Sequence, residues 1–125
     1  MPDTTHIPAG DYPNKAPVHH LDLALEAQRL LEKLPGHRRQ TRNLAREAGV
    51  SVLMMAMETG DILRDHATDG VVTVQLLSGR ATLASDNEHV DLRKGHLAVL
   101  QPGVRHDVTA GEQSVLLLTI TGGNE

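Results

Sequence analysis

The sequence predicts an all-β barrel or sandwich that carries one helix near its N-terminus. Short alternating or wholly apolar runs recur at spacings of about 8 to 12 residues, which is typical of such folds. Turn-forming dipeptides separate the runs, and only one segment has helical periodicity. The predicted strands are VSVLMMAM, VVTVQLL, RATLAS, HVDL, HLAVL, RHDVT and SVLLLTI, all after about residue 42.

The helix is predicted within residues 19–36, in the segment HLDLALEAQRLLEKLPG. Apolar side chains at positions 23, 27, 30, 31 and 34 form a single stripe along one face. Pro35 and Gly36 are expected to end the helix. The stripe needs an apolar surface to cover, and both the barrel of the same chain and a second subunit are candidates.

The chain divides into three parts on this interpretation. Residues 1–18 hold four of the six prolines and have no periodicity, so they are expected to form an extended N-terminal arm. The helix follows at 19–36, and residues 37–125 make up the barrel domain.

The composition narrows the classes of function. The chain has no Phe or Trp and one Tyr, so recognition of nucleic acid by base stacking is not expected. A net charge of −4 argues against a phosphate-backbone partner. No apolar run approaches the roughly 18 residues of a membrane helix, so no membrane partner is expected. No cysteine is present and no signal segment opens the chain, and we expect a cytoplasmic protein.

The segment TRNLAREAGVSVLMMAMETG raises a competing hypothesis, because it resembles the helix-turn-helix of bacterial repressors. On that hypothesis residues 41–60 would bind DNA. A recognition helix must present polar side chains to the base edges. Residues 52–57 are all apolar, so a buried strand is the preferred interpretation.

Two glycine- and histidine-containing segments stand out within the strand region. In the first, Gly60 precedes His66 by six positions, and Gly79 closes the segment. In the second, Gly95 is followed by Pro102-Gly103 and then by His106. The four glycines are expected to occupy turns with positive φ.

In order and spacing these segments resemble the two motifs of the cupin family, whose members are small jelly-roll (double-stranded β-helix) barrels. The resemblance runs from about Arg42 to Ile120. It implies a cupin-type barrel with the N-terminal helix and arm as additions.

The resemblance also implies where a metal would bind. Cupins typically hold a divalent metal through two histidines and a glutamate of the first motif and one histidine of the second. His66 and His106 match two of these ligands, whereas Thr68 and Val72 stand in place of the other histidine and the glutamate. Metal sites normally need three or four protein donors. We therefore expect no cofactor, or a weakly held Zn, Ni, Fe or Mn ion on His66 and His106.

The leading functional hypothesis is a homodimeric cupin that binds a small molecule in its barrel cavity. The residues expected to line the cavity are His66, Thr68, Val72, Val74 and His106. The alternative is a metal-dependent oxygenase, isomerase or lyase that uses His66 and His106. Cupins include enzymes, regulators and storage proteins, so the fold does not decide between the two hypotheses.

Overall fold

The computed structural model describes residues 17–64 and 69–122 of the chain. Within these ranges one helix is followed by nine strands. Their bounds are α1 (Leu23–Glu32), β1 (Arg39–Glu47), β2 (Val50–Met57), β3 (Ile62–Arg64), β4 (Val72–Ser78), β5 (Arg80–Ser85), β6 (His89–Arg93), β7 (Leu97–Leu100), β8 (His106–Ala110) and β9 (Ser114–Thr121).

The strands form two antiparallel sheets that face each other. One sheet has five strands in the order β1-β2-β9-β4-β7, and the other has four in the order β3-β8-β5-β6. Neighbouring strands are mostly distant in sequence, as in a jelly roll. The predicted all-β cupin-type barrel is therefore confirmed.

The barrel is filled by aliphatic side chains from both sheets, which we call the interior cluster. Strands β4 and β8 contribute in strict alternation, with every second residue buried. The buried members are Met55, Met57, Val72, Val74, Leu76, Ala81, Leu83, Leu92, Leu100, Val108, Ala110, Leu116 and Leu118.

Helix α1 covers the outer face of the five-stranded sheet. Leu30 and Leu34 are buried against Met54, Ala56 and Val115 in a second apolar cluster, the helix cluster. The leucine stripe is thus covered by the barrel of its own chain. This also explains why residues 52–57 of β2 are all apolar, because Met55 and Met57 face the interior while Met54 and Ala56 face the helix.

The helix is shorter than the segment predicted for it. It begins at Leu23 because Asp22 caps it, accepting a hydrogen bond from the backbone N–H of Leu25 at 3.1 Å. It ends at Glu32, with Lys33 as its C-cap, before Pro35 is reached. Among the described residues, no helix is long and apolar enough to cross a membrane.

Strand β1 overturns the helix-turn-helix hypothesis. Residues 39–47 and 50–57 form an antiparallel hairpin, with Arg39 opposite Met57 and Glu47 opposite Val50. The segment after Ser51 is a strand, as its apolar composition predicted. Strand β1 itself was not among the predicted strands, because as a mostly polar edge strand it has no alternating apolar pattern. The three-residue strand β3 was also missed.

A partly buried ion pair joins β1 to the residue that precedes β3. The Arg39 guanidinium donates to both carboxylate oxygens of Asp61, at 2.9 and 3.1 Å, and also to the carbonyl oxygen of Ile62 at 3.1 Å. The Asp61 side chain is almost fully buried, whereas that of Arg39 is partly exposed. The bidentate contact therefore fixes the end of the five-stranded sheet to the edge of the four-stranded sheet.

The four motif glycines have the backbone conformation that the sequence predicted. Gly60, Gly79, Gly95 and Gly103 have φ values of 87°, 90°, 87° and 83°. At Gly79 the backbone also approaches Gln113 and Ser114 so closely that a Cβ atom would collide with both. The closing glycine of the first motif is therefore required by both its φ angle and its packing.

Candidate functional site

Three of the five predicted cavity residues lie in the described structure, and all three are buried. Val72 and Val74 belong to the interior cluster on β4. His106 is the first residue of β8 and is 3% exposed. His66 and Thr68 lie outside the described residues.

His106 stands at one end of the inner face of the four-stranded sheet. It shares that face with Val108 and Ala110, and its direct partner across β5 is Ser85. Its Nδ1 atom lies 3.4 Å from the carbonyl oxygen of Val104. The loop before β8 therefore helps to orient the imidazole ring.

A groove with a volume of about 570 Å³ opens beside His106, between the edge strands of the two sheets. One wall is Leu83, the turn at 85–88 and Val90 of β6, and the other wall is residues 98–101 and 103–105. We call this feature the edge groove. Its volume lies within the range of about 300–1,000 Å³ that is typical of small-molecule sites.

The predicted cavity residues are direct neighbours of the groove. Val72 pairs with Leu100 and Val74 pairs with Ala98 across β4 and β7. Leu100 and Ala98 line the groove, as does Ser85, the partner of His106. Since directly paired residues share a face of the sheet, the interior predicted from the sequence adjoins the groove.

The groove combines an apolar floor with a charged rim. Leu83 and Leu100 are buried members of the interior cluster. Asp86, Glu88 and Arg105 on the rim are exposed. An aliphatic floor with a few polar groups around it suits a ligand that has an apolar body and a polar or charged end.

The described residues by themselves do not form a metal site. Within residues 17–64 and 69–122, no three His, Asp or Glu side chains are grouped closely enough to hold a metal ion. On the inner face His106 is followed by Val108 and Ala110, and the buried residues of β4 are Val72, Val74 and Leu76, none of which can donate to a metal. Of the two histidines that match metal ligands, only His106 can be located.

Sequence reasoning missed the groove residues as site residues. Segments 85–87 and 102–103 were recognised only as turns between strands. They are about 16 residues apart in the chain, and the two-sheet topology brings residues 85–88 and residues 98–105 to the same groove. The one available signal was charge at the turn, in Asp86, Glu88 and Arg105, and charged residues at turns are too common to indicate a site.

Known proteins support the fold assignment. A family model described as the AraC-like ligand binding domain matches residues 48–121. No curated protein matches the sequence.

Solved structures resemble the chain at low sequence identity. A conserved protein of unknown function from Streptococcus pyogenes has a TM-score of 0.71 at 21% identity, covering 94% of this chain and 100% of that one. A cupin superfamily protein from Desulfitobacterium hafniense has a TM-score of 0.66 at 15% identity, covering 68% and 78%.

An enzyme is also among the similar structures. Salicylate 1,2-dioxygenase from Pseudoaminobacter salicylatoxidans has a TM-score of 0.63 at 17% identity, covering 79% of this chain and 30% of the enzyme. At these identities the similarity establishes the cupin fold and not a shared activity. Because the family model spans most of the barrel, from β2 to β9, the chain belongs to the AraC-like ligand binding domain family, within the cupin fold.

Proposed function

We propose that this protein binds a small molecule in the edge groove and the adjoining barrel interior. The interior part of the site comprises Val72, Val74 and His106, together with His66 and Thr68. The observation that carries the proposal is the groove itself, about 570 Å³ in volume, which is lined in part by Leu83 and Leu100 of the interior cluster. The description of the family as a ligand binding domain supports the same function.

The lining defines the class of ligand. Its apolar contacts come from aliphatic side chains such as Leu83, Ala98 and Leu100, and not from aromatic rings. Its charges lie at the rim, on Asp86, Glu88 and Arg105. The ligand we infer is therefore a compact molecule with an aliphatic or weakly polar body and at least one hydrogen-bonding or charged group.

A single introduced tryptophan provides the test, because the chain has none. Val104→Trp places the reporter on the groove wall, and Val50→Trp places it on β2, outside the groove. The probe is 8-anilinonaphthalene-1-sulfonate, which has apolar rings and one anionic group. We expect saturable binding with strong energy transfer from the tryptophan at 104 and much weaker transfer from the tryptophan at 50.

A matched pair of valines distinguishes the groove from the rest of the surface. Val90 lines the groove and is 37% exposed, whereas Val50 does not line it and is 38% exposed. Val90→Asp is expected to weaken probe binding at least tenfold, because it places a carboxylate against the probe's apolar rings. Equal affinities of the Val90→Asp and Val50→Asp variants would contradict the proposal, as would the absence of saturable binding.

The alternative function is a metal-dependent enzyme that uses His66 and His106. It is favoured by the buried position of His106 beside the groove and by the dioxygenase among the similar structures. We propose instead that any metal is weakly held, because Thr68 and Val72 supply neither the imidazole nor the carboxylate of the usual set. Stoichiometric Fe, Ni, Mn or Zn in protein purified without chelators, lost in a His66→Ala/His106→Ala variant, would favour the enzyme over the binding protein.

The proposal includes a homodimer and a cytoplasmic location. The absence of cysteine is compatible with a reducing compartment. The Leu23, Leu30 and Leu34 stripe is occupied by the chain's own barrel, so another surface must form the dimer contact. Sedimentation at micromolar concentration tests the dimer, and a monomer would overturn that part of the proposal.

A further inference from the structure

Strand β7 has an unusually apolar outer face. Leu97 and Val99 are 58% and 62% exposed, the highest exposures among large apolar residues of the described strands. Alternate residues Ala98 and Leu100 pack against the barrel interior, and Val99 borders the edge groove as they do. Strand β7 also ends the order of the five-stranded sheet, so one side of its backbone faces away from β4.

The other sheet edges in the described structure are protected against pairing with another chain. Strand β1 carries Arg39, Arg42, Arg46 and Glu47, and β6 carries Asp91 and Arg93. Strand β3 has only three residues. Strand β7 has the sequence LAVL and no charge, so it lacks the usual protection of an edge strand.

The pairing of β7 with β4 indicates which backbone groups of β7 point to the free edge of the sheet, where they could pair with another strand. Leu76 donates to the carbonyl oxygen of His96 at 3.0 Å, and Val74 is the partner of Ala98. Hydrogen-bonded pairs alternate along antiparallel strands, so the N–H and C=O groups of Leu97 and Val99 point away from β4. The exposed side chains and the outward backbone groups therefore belong to the same two residues.

The charges at the two ends of β7 are complementary. Arg93, the last residue of β6, and Lys94, in the turn that follows, lie at its N-terminal end. Asp86 and Glu88 lie at its C-terminal end, across the groove, where Arg105 leaves a net negative charge. Two copies of β7 in antiparallel orientation would bring each basic end next to an acidic end of the other copy.

We propose that the β7 edge binds a second copy of this chain, through antiparallel β7–β7 pairing centred on Ala98. In this register Leu97 of each copy lies opposite Val99 of the other, on the same face and with their outward backbone groups aligned. The contact is two-fold symmetric, as closed dimers require. Because β7 lines the edge groove, pairing at β7 would place the second copy next to the groove.

This inference rests on the proposed function, of which it specifies the dimer contact. The first test is sedimentation of the full chain at 5–100 μM. We expect a dimer for the wild type and for Val50→Lys, and a monomer for Leu97→Lys/Val99→Lys. Circular dichroism must show the same strand content in all three proteins. If the double variant fails this check, Val99→Thr replaces it. For Val99→Thr we expect a dimer dissociation constant at least tenfold higher than that of the wild type.

Charge reversal provides a second test on exposed side chains whose replacement leaves the core intact. Lys94→Glu is expected to raise the dimer dissociation constant about tenfold, and Lys94→Glu/Asp86→Lys is expected to restore it. A dimer that persists in Leu97→Lys/Val99→Lys, or a monomeric wild type, would overturn the inference. A monomeric wild type that still binds the probe would leave the ligand proposal standing, whereas a β7 dimer of the wild type without probe binding would overturn only the ligand proposal.

Discussion

At Gly79 the backbone turns from β4 into β5 with φ at 90° while passing close to Ser114. Ser114 is fully buried. Its hydroxyl is hydrogen-bonded: it accepts from the Arg80 N–H at 3.1 Å and donates to the Glu112 carbonyl oxygen at 2.8 Å. A side chain at position 79 would therefore displace a buried hydrogen-bonded group. The site tolerates only the residue that has no Cβ atom.

Gly79→Ala is expected to lower the free energy of unfolding by about 2–4 kcal/mol, the sum of a left-handed backbone penalty and overpacking. Gly95→Ala is the matched control, because Gly95 has φ at 87° and no atom lies within 4 Å of the position that a Cβ would take there. The control should lose only about 1–2 kcal/mol. Urea unfolding of both variants measures the difference, and equal losses would contradict the packing argument.

The Asp61 carboxylate is the second group whose environment allows a quantitative prediction. Arg39→Ala leaves it buried without its bidentate partner, and we expect a loss on the order of 3 kcal/mol. Arg42 forms a more exposed pair with Glu26 at 3.4 Å. Arg42→Ala should cost less than about 1 kcal/mol. Urea unfolding of the two arginine variants tests the prediction, and a loss of similar size in both would show that the Asp61 pair is not special.

At the scale of elements, α1 and β2 depend on each other. Strand β2 is apolar on both faces because it lies between the barrel interior and the helix. The periodicity of the helix was visible in the sequence, but whether the stripe covers this barrel or a second subunit was not. The packing of α1 on Met54, Ala56 and Val115 shows that the stripe covers the barrel of its own chain.

Leu34→Ala is expected to destabilise the fold by about 2–5 kcal/mol, because it leaves a cavity between the segment after α1 and β2. Leu25 lies in α1 but is 39% exposed, and Leu25→Ala should change stability by about 0.5 kcal/mol or less. Thermal and urea unfolding check both values. A similar effect of the two substitutions would show that the helix is not docked as described.

Elements differed in how clearly the sequence predicted them. Strands β4 and β8 alternate between the barrel interior and the outer face, so their periodicity predicted both their position and their orientation. Strand β1 has polar residues at most positions because it lies at a sheet edge, and no apolar pattern marked it. The helix starts at Leu23 because of the Asp22 cap, which apolar periodicity does not reveal.

For the whole molecule, a metal site with only His66 and His106 as ligands predicts that added metal stabilises the fold only slightly. With a Kd of about 10 μM or weaker, about 100 μM Zn²⁺ would add less than about 1.4 kcal/mol to the free energy of unfolding. Urea unfolding of chelator-treated protein, with and without the metal, measures the effect. A larger stabilisation that disappears in His66→Ala/His106→Ala would show that a tight site exists.

The sequence by itself determined the fold class, the motif turns with positive φ, and the buried position of Val72, Val74 and His106. These properties follow from local patterns, namely apolar periodicity, glycine at turns and the spacing of the motifs. The tertiary structure alone decided that the leucine stripe covers its own barrel, that Arg39 neutralises Asp61, and that the turns at 85–88 and 101–105 enclose a groove. These are contacts between residues far apart in the chain, and no local pattern encodes which of the distant segments will meet.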